Sequence, residues 1–522
     1  MKRSTSAITQ MQAAIIIVIL IVVVAGGAWA YYYLYQPPEE AALTVATMSV
    51  TLAMPWLSTS DIPGYGAQYW AEEEGVEVTC VEIPIGQLYD KIMTELRAGT
   101  GAFDIIAYPS YWAGDIMGGD YVLDLDDYLT QYADDVELAY DDFKEVYRER
   151  LNMWGGDTYG IQIDGDVWCL FYREDIMENA TNQANFEAQY GYPLRSPRTW
   201  DEYLDVAAFF TGWDWDNDGE IEYGATEITN RAGAYMIWNY WSRYAPAIEF
   251  PDGKPGAIYF DPDNMDPLIN SPPGEKALQN WIDTLQYCPP GAEDATYEAT
   301  WDHFLGGRAF MTHQWPDLGP LGNDPDYSGI VGKSGYGMIP GWEEAWDFET
   351  DQWVTNGTGL YWEDGIHYGS PLAWGWTASI AKNTKYPDLA FELIKYVVSP
   401  EQAALQAAEA YDGLDPYRQQ IFDQGKAKTG KIAEVFADVL PGWENYDEFF
   451  EALDENIEVG VPDLRVPSAF RFYETLSVQI SNVFAGLTTK DTALAIAESE
   501  WTFVVESLGT EYLLGLYQES LG

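Results

Sequence analysis

Residues 369–418 read GSPLAWGWTASIAKNTKYPDLAFELIKYVVSPEQAALQAAEAYDGLDPYR. Two large aromatics, Trp374 and Trp376, flank Gly375, and the apolar run Thr377–Ala381 reads as a strand. Pro387 and Asp388 suit a first helical turn, where a missing N–H costs nothing and a carboxylate meets the positive end of the helix dipole. Ala390, Leu393, Ile394 and Val397 recur on one helical face. Ser399 and Gln402 are spaced as a capping box opening a second helix, and Gly413 stops it. An aromatic pair therefore feeds a strand, two helices, and a loop ending in Arg418.

Working outward, Leu43–Ala53, Val76–Ile83 and Phe103–Tyr108 read as strands. Helices fall between them, at Tyr65–Glu74 and Gln87–Ala98, ended by Gly75 and Gly99. Strands alternating with helices of this length imply a parallel α/β sheet, and ligands collect at the carboxyl ends of such strands. Tyr111 and Trp112 stand at such an end. Later come YGIQIDGDVWCLFY at 159–172, PRTWDE at 197–202 and WDHFLGGRAFMTHQWP at 301–316.

Together these segments resemble the family 1 extracellular solute-binding proteins, the sugar-binding components of ABC importers. The shared features are the Gly/Trp turn at 374–376, Ile380-Ala381-Lys382-Asn383, the Pro387–Gln402 helix pair, Gly413 to Arg418, and the 159–175 strand with its Asp-Gly-Asp. The resemblance runs from about Leu43 to about Leu508. It implies a periplasmic-binding-protein-like α/β fold of two lobes with a hinge and an interlobe cleft. The expected division is lobe 1 at 43–158, lobe 2 at 159–320, a lobe 1 return at 321–376, and a lobe 2 return with C-terminal helices at 377–522. It also implies that Asp164 and Asp166 lie at the cleft, and that Trp315 is the aromatic ending a strand there.

Sugars present C–H faces and hydroxyl edges, which flat aromatic rings and carboxylates respectively match. With 22 Trp and 38 Tyr in the chain, the candidates are Tyr111, Trp112, Trp241, Trp315, Trp374 and Trp376, with Asp164, Asp166 and Arg418 as polar partners. In an extended segment Trp374 and Trp376 would point to one side.

The N-terminus follows a different pattern. Lys2 and Arg3 precede an apolar run from Ala13 to about Ala30, continued by tyrosines to Tyr35. The length suits a membrane-spanning helix at 13–35, with 1–12 inside, a Pro-Pro linker at 36–42, and the bulk outside the cell. A cleavable signal ending at Ala28-Trp29-Ala30 is a second reading. A third is a resemblance of Ser6–Gln10 plus the aliphatic run to archaeal pilin-type signals, which some archaeal sugar-binding proteins carry. All three place the remainder outside the cell.

Asp214-Trp215-Asp216-Asn217-Asp218-Gly219-Glu220-Ile221-Glu222 opens like a calcium loop, with carboxylates on alternate residues ahead of a glycine that permits the bend. Position 12 of the loop is Ala225, so the motif is not a full EF-hand; Glu222 or Glu227 is available to substitute. Asp214, Asp216, Asp218, Glu220 and Glu222 are the candidate ligands of a structural calcium ion.

A net charge of −58 excludes nucleic acid as partner, since phosphate binding needs clustered Lys and Arg. Three scattered cysteines form no CxxC motif. G-x-S-x-G and H-E-x-x-H motifs are absent. Gly332-Lys333-Ser334 is not a phosphate loop, because Tyr327 occupies the position of the required glycine. The expected function is a membrane-anchored binding protein, without catalytic residues, that delivers a sugar or oligosaccharide to ABC permease subunits. The alternatives are a pilin-like surface filament subunit and an extracellular glycosidase acting through paired carboxylates.

Overall fold

The computed structural model describes residues 41–48, 51–57, 60–216, 219–372 and 375–521. The expected membrane span, Trp374 and Asp218 lie outside the described residues. Among the described residues no helix is long and apolar enough to cross a membrane.

The first sheet holds β1 (Ala42–Met48), β2 (Glu77–Ile83) and β3 (Ile105–Pro109), joined by helices α1 (Ala67–Glu74) and α2 (Ile85–Ala98). β1 is parallel to both neighbours, in register Ala42↔Glu77 and Val45↔Ile105. The helices stop where glycine permits left-handed backbone, at Gly75 (φ 67°) and Gly99 (φ 62°). Leu88, Ile92, Met93 and Leu96 of α2 are buried, the spacing of one helical face. Each such side chain contributes about 1.5–3 kcal/mol when fully buried. β3 is buried along its whole length, as a sheet covered on both faces requires, while β2 exposes Glu77 and Glu82 on the edge.

The chain then adds β4 (Ile161–Gln162) and leaves for a second sheet, formed by β5 (Cys169–Arg173), β6 (Tyr223–Ala225), β7 (Ala309–Gln314) and β8 (Ser334–Gly337) in the order β8-β5-β7-β6. β9 (Trp376–Ile380) returns to the first sheet, antiparallel to β3 with Trp376 opposite Pro109, and completes the order β2-β1-β3-β9-β4. Helix α3 (Pro387–Val397) packs on the first sheet and α4 (Tyr446–Glu458) on the second. Helices α5 (Ala469–Phe484) and α6 (Lys490–Leu508) pair beyond them. The chain therefore passes between the sheets three times, within 163–168, between β8 and β9, and between α3 and α4.

This corrects the expected boundaries. β8 falls in 321–376 yet belongs to the second sheet, and β9 with α3 belongs to the first. β4, inside the segment assigned to lobe 2, also pairs in the first sheet, and the linker ends one residue early because β1 starts at Ala42. Short apolar strands carry no local mark of which sheet they join; side-chain packing in the folded state decides it.

The two crossings at 163–168 and 407–418 touch main chain to main chain. Gly165 N–H donates to Asp415 O at 2.9 Å, and Asp415 N–H donates to Asp164 Oδ1 at 2.7 Å. A Cβ on Gly165 would stand 2.0 Å from Pro416 O, so no other residue fits.

Candidate ligand cleft

Between the sheets lies a cavity of about 290 Å³. It opens where β1 and β7 end and β9 begins, the same edge of each sheet. Met48 and Leu52 line it from the first lobe, Trp376 from the start of β9, Asp166 from the first crossing, and Tyr411 and Gly413 from another. The second lobe supplies Tyr235, Tyr297, Glu298, Trp301, Asp302, Trp315, Asp317 and Tyr327.

Trp315 follows directly on β7 and is 7% exposed; Trp376 is 1% exposed. The two-lobed fold thus sets both indoles on the walls of one cavity. The second-lobe wall is a chain of edge-to-face rings. Trp301 meets Tyr297 at 5.2 Å, Tyr297 meets Tyr235 at 5.3 Å, Tyr235 meets Trp315 at 5.9 Å, and Trp315 meets Trp168 at 4.7 Å. Such contacts hold each ring at a fixed tilt. At the mouth, Tyr327 and Tyr411 stack at 5.7 Å with planes 6° apart.

Four other sequence candidates lie elsewhere. Tyr111 stacks on Phe470 at 5.9 Å, and Trp112 packs edge-on against Tyr89 at 5.2 Å. Trp241 is 1% exposed among Tyr240, Tyr259 and Tyr473. The Arg418 guanidinium is spent on the carbonyls of Val398 and Leu138, on Asp142, and on the Phe143 ring 4.3 Å away. None of the four lines the cavity; they are core residues, because an aromatic or Arg side chain fills buried space as readily as it meets a ligand. Gly375, directly before Trp376, has a left-handed φ of 35°.

The floor is acidic. Carboxylate oxygens of Asp164, Asp166 and Asp415 lie within 4.8 Å of one another, and the residues are 0, 5 and 4% exposed. Burial, opposed only in part by the hydrogen bond from Asp415 N–H, pushes Asp164 up to about 8. Burial and the neighbouring acids raise Asp166 and Asp415 well above the usual carboxylate range. Burial lifts Asp317 to about 6. Asp317 and Asp415 escaped the sequence reading, although Asp317 stands two residues beyond Trp315. Tyr235, Tyr297, Trp301, Tyr327 and Tyr411 come from helices and loops that no periodicity directs toward the cleft.

In the 214–222 loop, oxygens of Asp214, Asp216 and Glu222 also lie within 4.8 Å of one another. Asp214 Oδ2 accepts from Gly219 N–H at 3.1 Å, Glu222 Oε2 accepts from Trp215 N–H at 3.0 Å, and Asp214 Oδ1 is buried with no hydrogen-bond partner. Glu220 lies 3.5 Å from Arg308 at the surface, outside the converging set of Asp214, Asp216 and Glu222. Glu227 is bound up with Arg243 at 2.6 Å, both fully buried.

Two sheets joined by three crossings around a ring-walled cavity define a two-lobed binding protein. Residues 57–404, about two thirds of the chain, match the family model described as bacterial extracellular solute-binding protein, and the chain belongs to that family. An erythritol/L-threitol-binding protein of Mycolicibacterium smegmatis is 22% identical over 428 residues, 80% of this chain and 78% of that one. An ABC transporter solute-binding protein from Agrobacterium radiobacter K84, solved with ribitol, superposes with TM-score 0.66 at 20% identity, covering 90% of this chain and all of that one. One from Agrobacterium vitis S4 with bound D-mannitol gives TM-score 0.63 at 18% identity, covering 90% and 99%. A maltose-bound T. maritima protein gives 0.62 at 19%, covering 89% and 100%.

Proposed function

We propose that this protein captures a sugar or polyol in the interlobe cavity and hands it to the permease of an ABC importer. The observation that carries the reading is the meeting of Trp315 and Trp376, from different lobes, in a cavity that further rings and carboxylates also line. Rings cover C–H faces, carboxylates accept from hydroxyls, and lobe closure around the solute supplies the signal a permease reads. Relatives that bind erythritol, ribitol, mannitol and maltose support the ligand class. The apolar run at 13–35 anchors the receptor with its lobes outside the cell and takes no part in binding. Calorimetric titration with polyols, monosaccharides and malto-oligosaccharides tests this. Full-length protein and a chain starting at Ala41 are expected to bind the same carbohydrate with equal affinity. Binding of amino acids or peptides with no response to any carbohydrate overturns it.

Calcium at Asp214, Asp216 and Glu222 is the second proposal, supported by their oxygen geometry and the unpartnered Asp214 Oδ1. Asp218 completes the alternation in the sequence. A native-state ligand stabilises by about 2.7 kcal/mol at a hundredfold excess over its dissociation constant. Calcium returned after chelation is therefore expected to raise the melting temperature, and Asp214→Ala to remove the rise. An unchanged melting curve rejects the site.

A further inference from the structure

Elsewhere among the described residues, buried acids such as Glu227 and Asp412 have a cation or a hydrogen-bond donor on them. Glu227 meets Arg243 at 2.6 Å with both side chains fully buried, and Asp412 accepts from Tyr65 Oη at 2.5 Å. The cleft floor has a backbone donor, Asp415 N–H on Asp164 Oδ1, for a cluster of acids. The charged groups acting on Asp166 are Asp164, Asp415 and Asp317, all of its own sign. Asp164 Oδ2 and Asp415 Oδ2 are buried with no hydrogen-bond partner. Asp166 and Asp317 face the cavity, Glu298 and Asp302 add two more carboxyls to its walls, and no Lys, Arg or His is among the described residues lining it. An uncompensated buried charge is costly, so in the empty cleft these acids hold protons, and a cation set among them can take the protons' place. Aromatic faces beside carboxylates are also the surroundings in which an organic ammonium is most stable.

We infer that the solute of this cleft carries a positively charged nitrogen, an amino sugar or amino polyol whose ammonium sits against Asp166 and Asp317 while its carbon skeleton lies on Trp315 and Trp376. This rests on the carbohydrate reading of the cleft and narrows it. The polyol part uses the ring walls, as any sugar would. The ammonium takes the place of protons on the floor, and it enters by the same mouth beside Tyr327 and Tyr411. A neutral hydroxyl in its place would donate one hydrogen bond and leave the floor acids protonated.

The experiment is calorimetric titration of the unaltered full chain at neutral pH. The probes are D-glucosamine, D-galactosamine, D-mannosamine and 1-amino-1-deoxysorbitol, each beside its neutral parent, with the N-acetyl form of each hexosamine. At least one amine is expected to bind about tenfold or more tighter than both its parent and its N-acetyl form. Asp166→Asn and Asp317→Asn are expected to erase that preference; the comparison in unaltered protein stands alone if either variant fails to fold. Neutral or N-acetylated sugars binding as tightly as the amines overturn the inference and leave the sugar-receptor reading intact. No response to any carbohydrate, charged or neutral, overturns both. A calcium-induced rise in melting temperature that Asp166→Asn abolishes overturns it in favour of a metal ion on the floor.

Discussion

Trp376→Ala loses stability and ligand together. The indole is 1% exposed at the first position of β9, where its carbonyl also receives Ile163 N–H at 2.9 Å across the crossing. Emptying that volume costs roughly 3–5 kcal/mol of folding free energy. The same ring lines the cavity, so removing it is expected to cost about 2 kcal/mol or more of binding, the scale of a buried Trp anchor. Trp241→Ala is the control. Trp241 is equally buried, but its neighbours are Tyr240, Tyr259 and Tyr473 and it does not reach the cavity. It should match the loss of stability and keep the affinity of the folded fraction. Chemical denaturation read beside titration separates the two, and a Trp376→Ala protein that binds at full strength removes the site from this cavity.

The acidic floor makes the unliganded protein more stable in acid than in alkali. Asp164 rises from 3.8 to about 8 and Asp317 from 3.8 to about 6, both chiefly through burial, and Asp166 and Asp415 rise as well. For an acid whose folded value is raised, the native state binds more protons than the unfolded chain. The stabilisation is complete below the unfolded value and is lost as pH climbs through the folded one. The window here runs from about 4 to about 8. The groups around the floor do not offset it: Asp412 is raised too, Tyr147 gives its hydroxyl to Gly165 O, and Arg418 is held by Asp142. The melting temperature is expected to fall by at least roughly 5 °C between about pH 5 and about pH 9. Asp164→Asn keeps an acceptor for Asp415 N–H and removes a charge, so above about pH 8 it is expected to be more stable than the native protein. A melting temperature that is flat or rises over this window would refute the account.

Local chemistry was enough to read the first lobe. Glycines ending α1 and α2, and apolar runs of strand length between them, need no knowledge of the partner strand. The places of Asp166 and Trp315 came instead from the family resemblance, which local chemistry alone would not have supplied. Sheet membership of β8 and β9 was not legible, since it depends on which distant strand offers the better packing. Nor could sequence tell Trp241 from Trp376, because both are large apolar side chains on regular elements and differ only in what faces them. The acidic floor was half visible. Asp164 and Asp166 stand in one motif, but Asp415 joins them only when the fold brings a loop some 250 residues away against it, as the Asp415 N–H to Asp164 contact records.

The close approach at Gly165 sets how the receptor can open. The 163–168 and 407–418 segments are joined by two hydrogen bonds, with no room even for a methyl group between Gly165 and Pro416. Two of the three connections therefore turn as one pin, and the lobes swing about a line through that pin and the remaining connection between β8 and β9. Asp164, Asp166 and Asp415 belong to the pin and hardly travel, whereas Tyr327 is carried by the second lobe and moves against Tyr411, which the pin holds. The acids are therefore fixed at the pivot, and opening is felt first where Tyr327 parts from Tyr411.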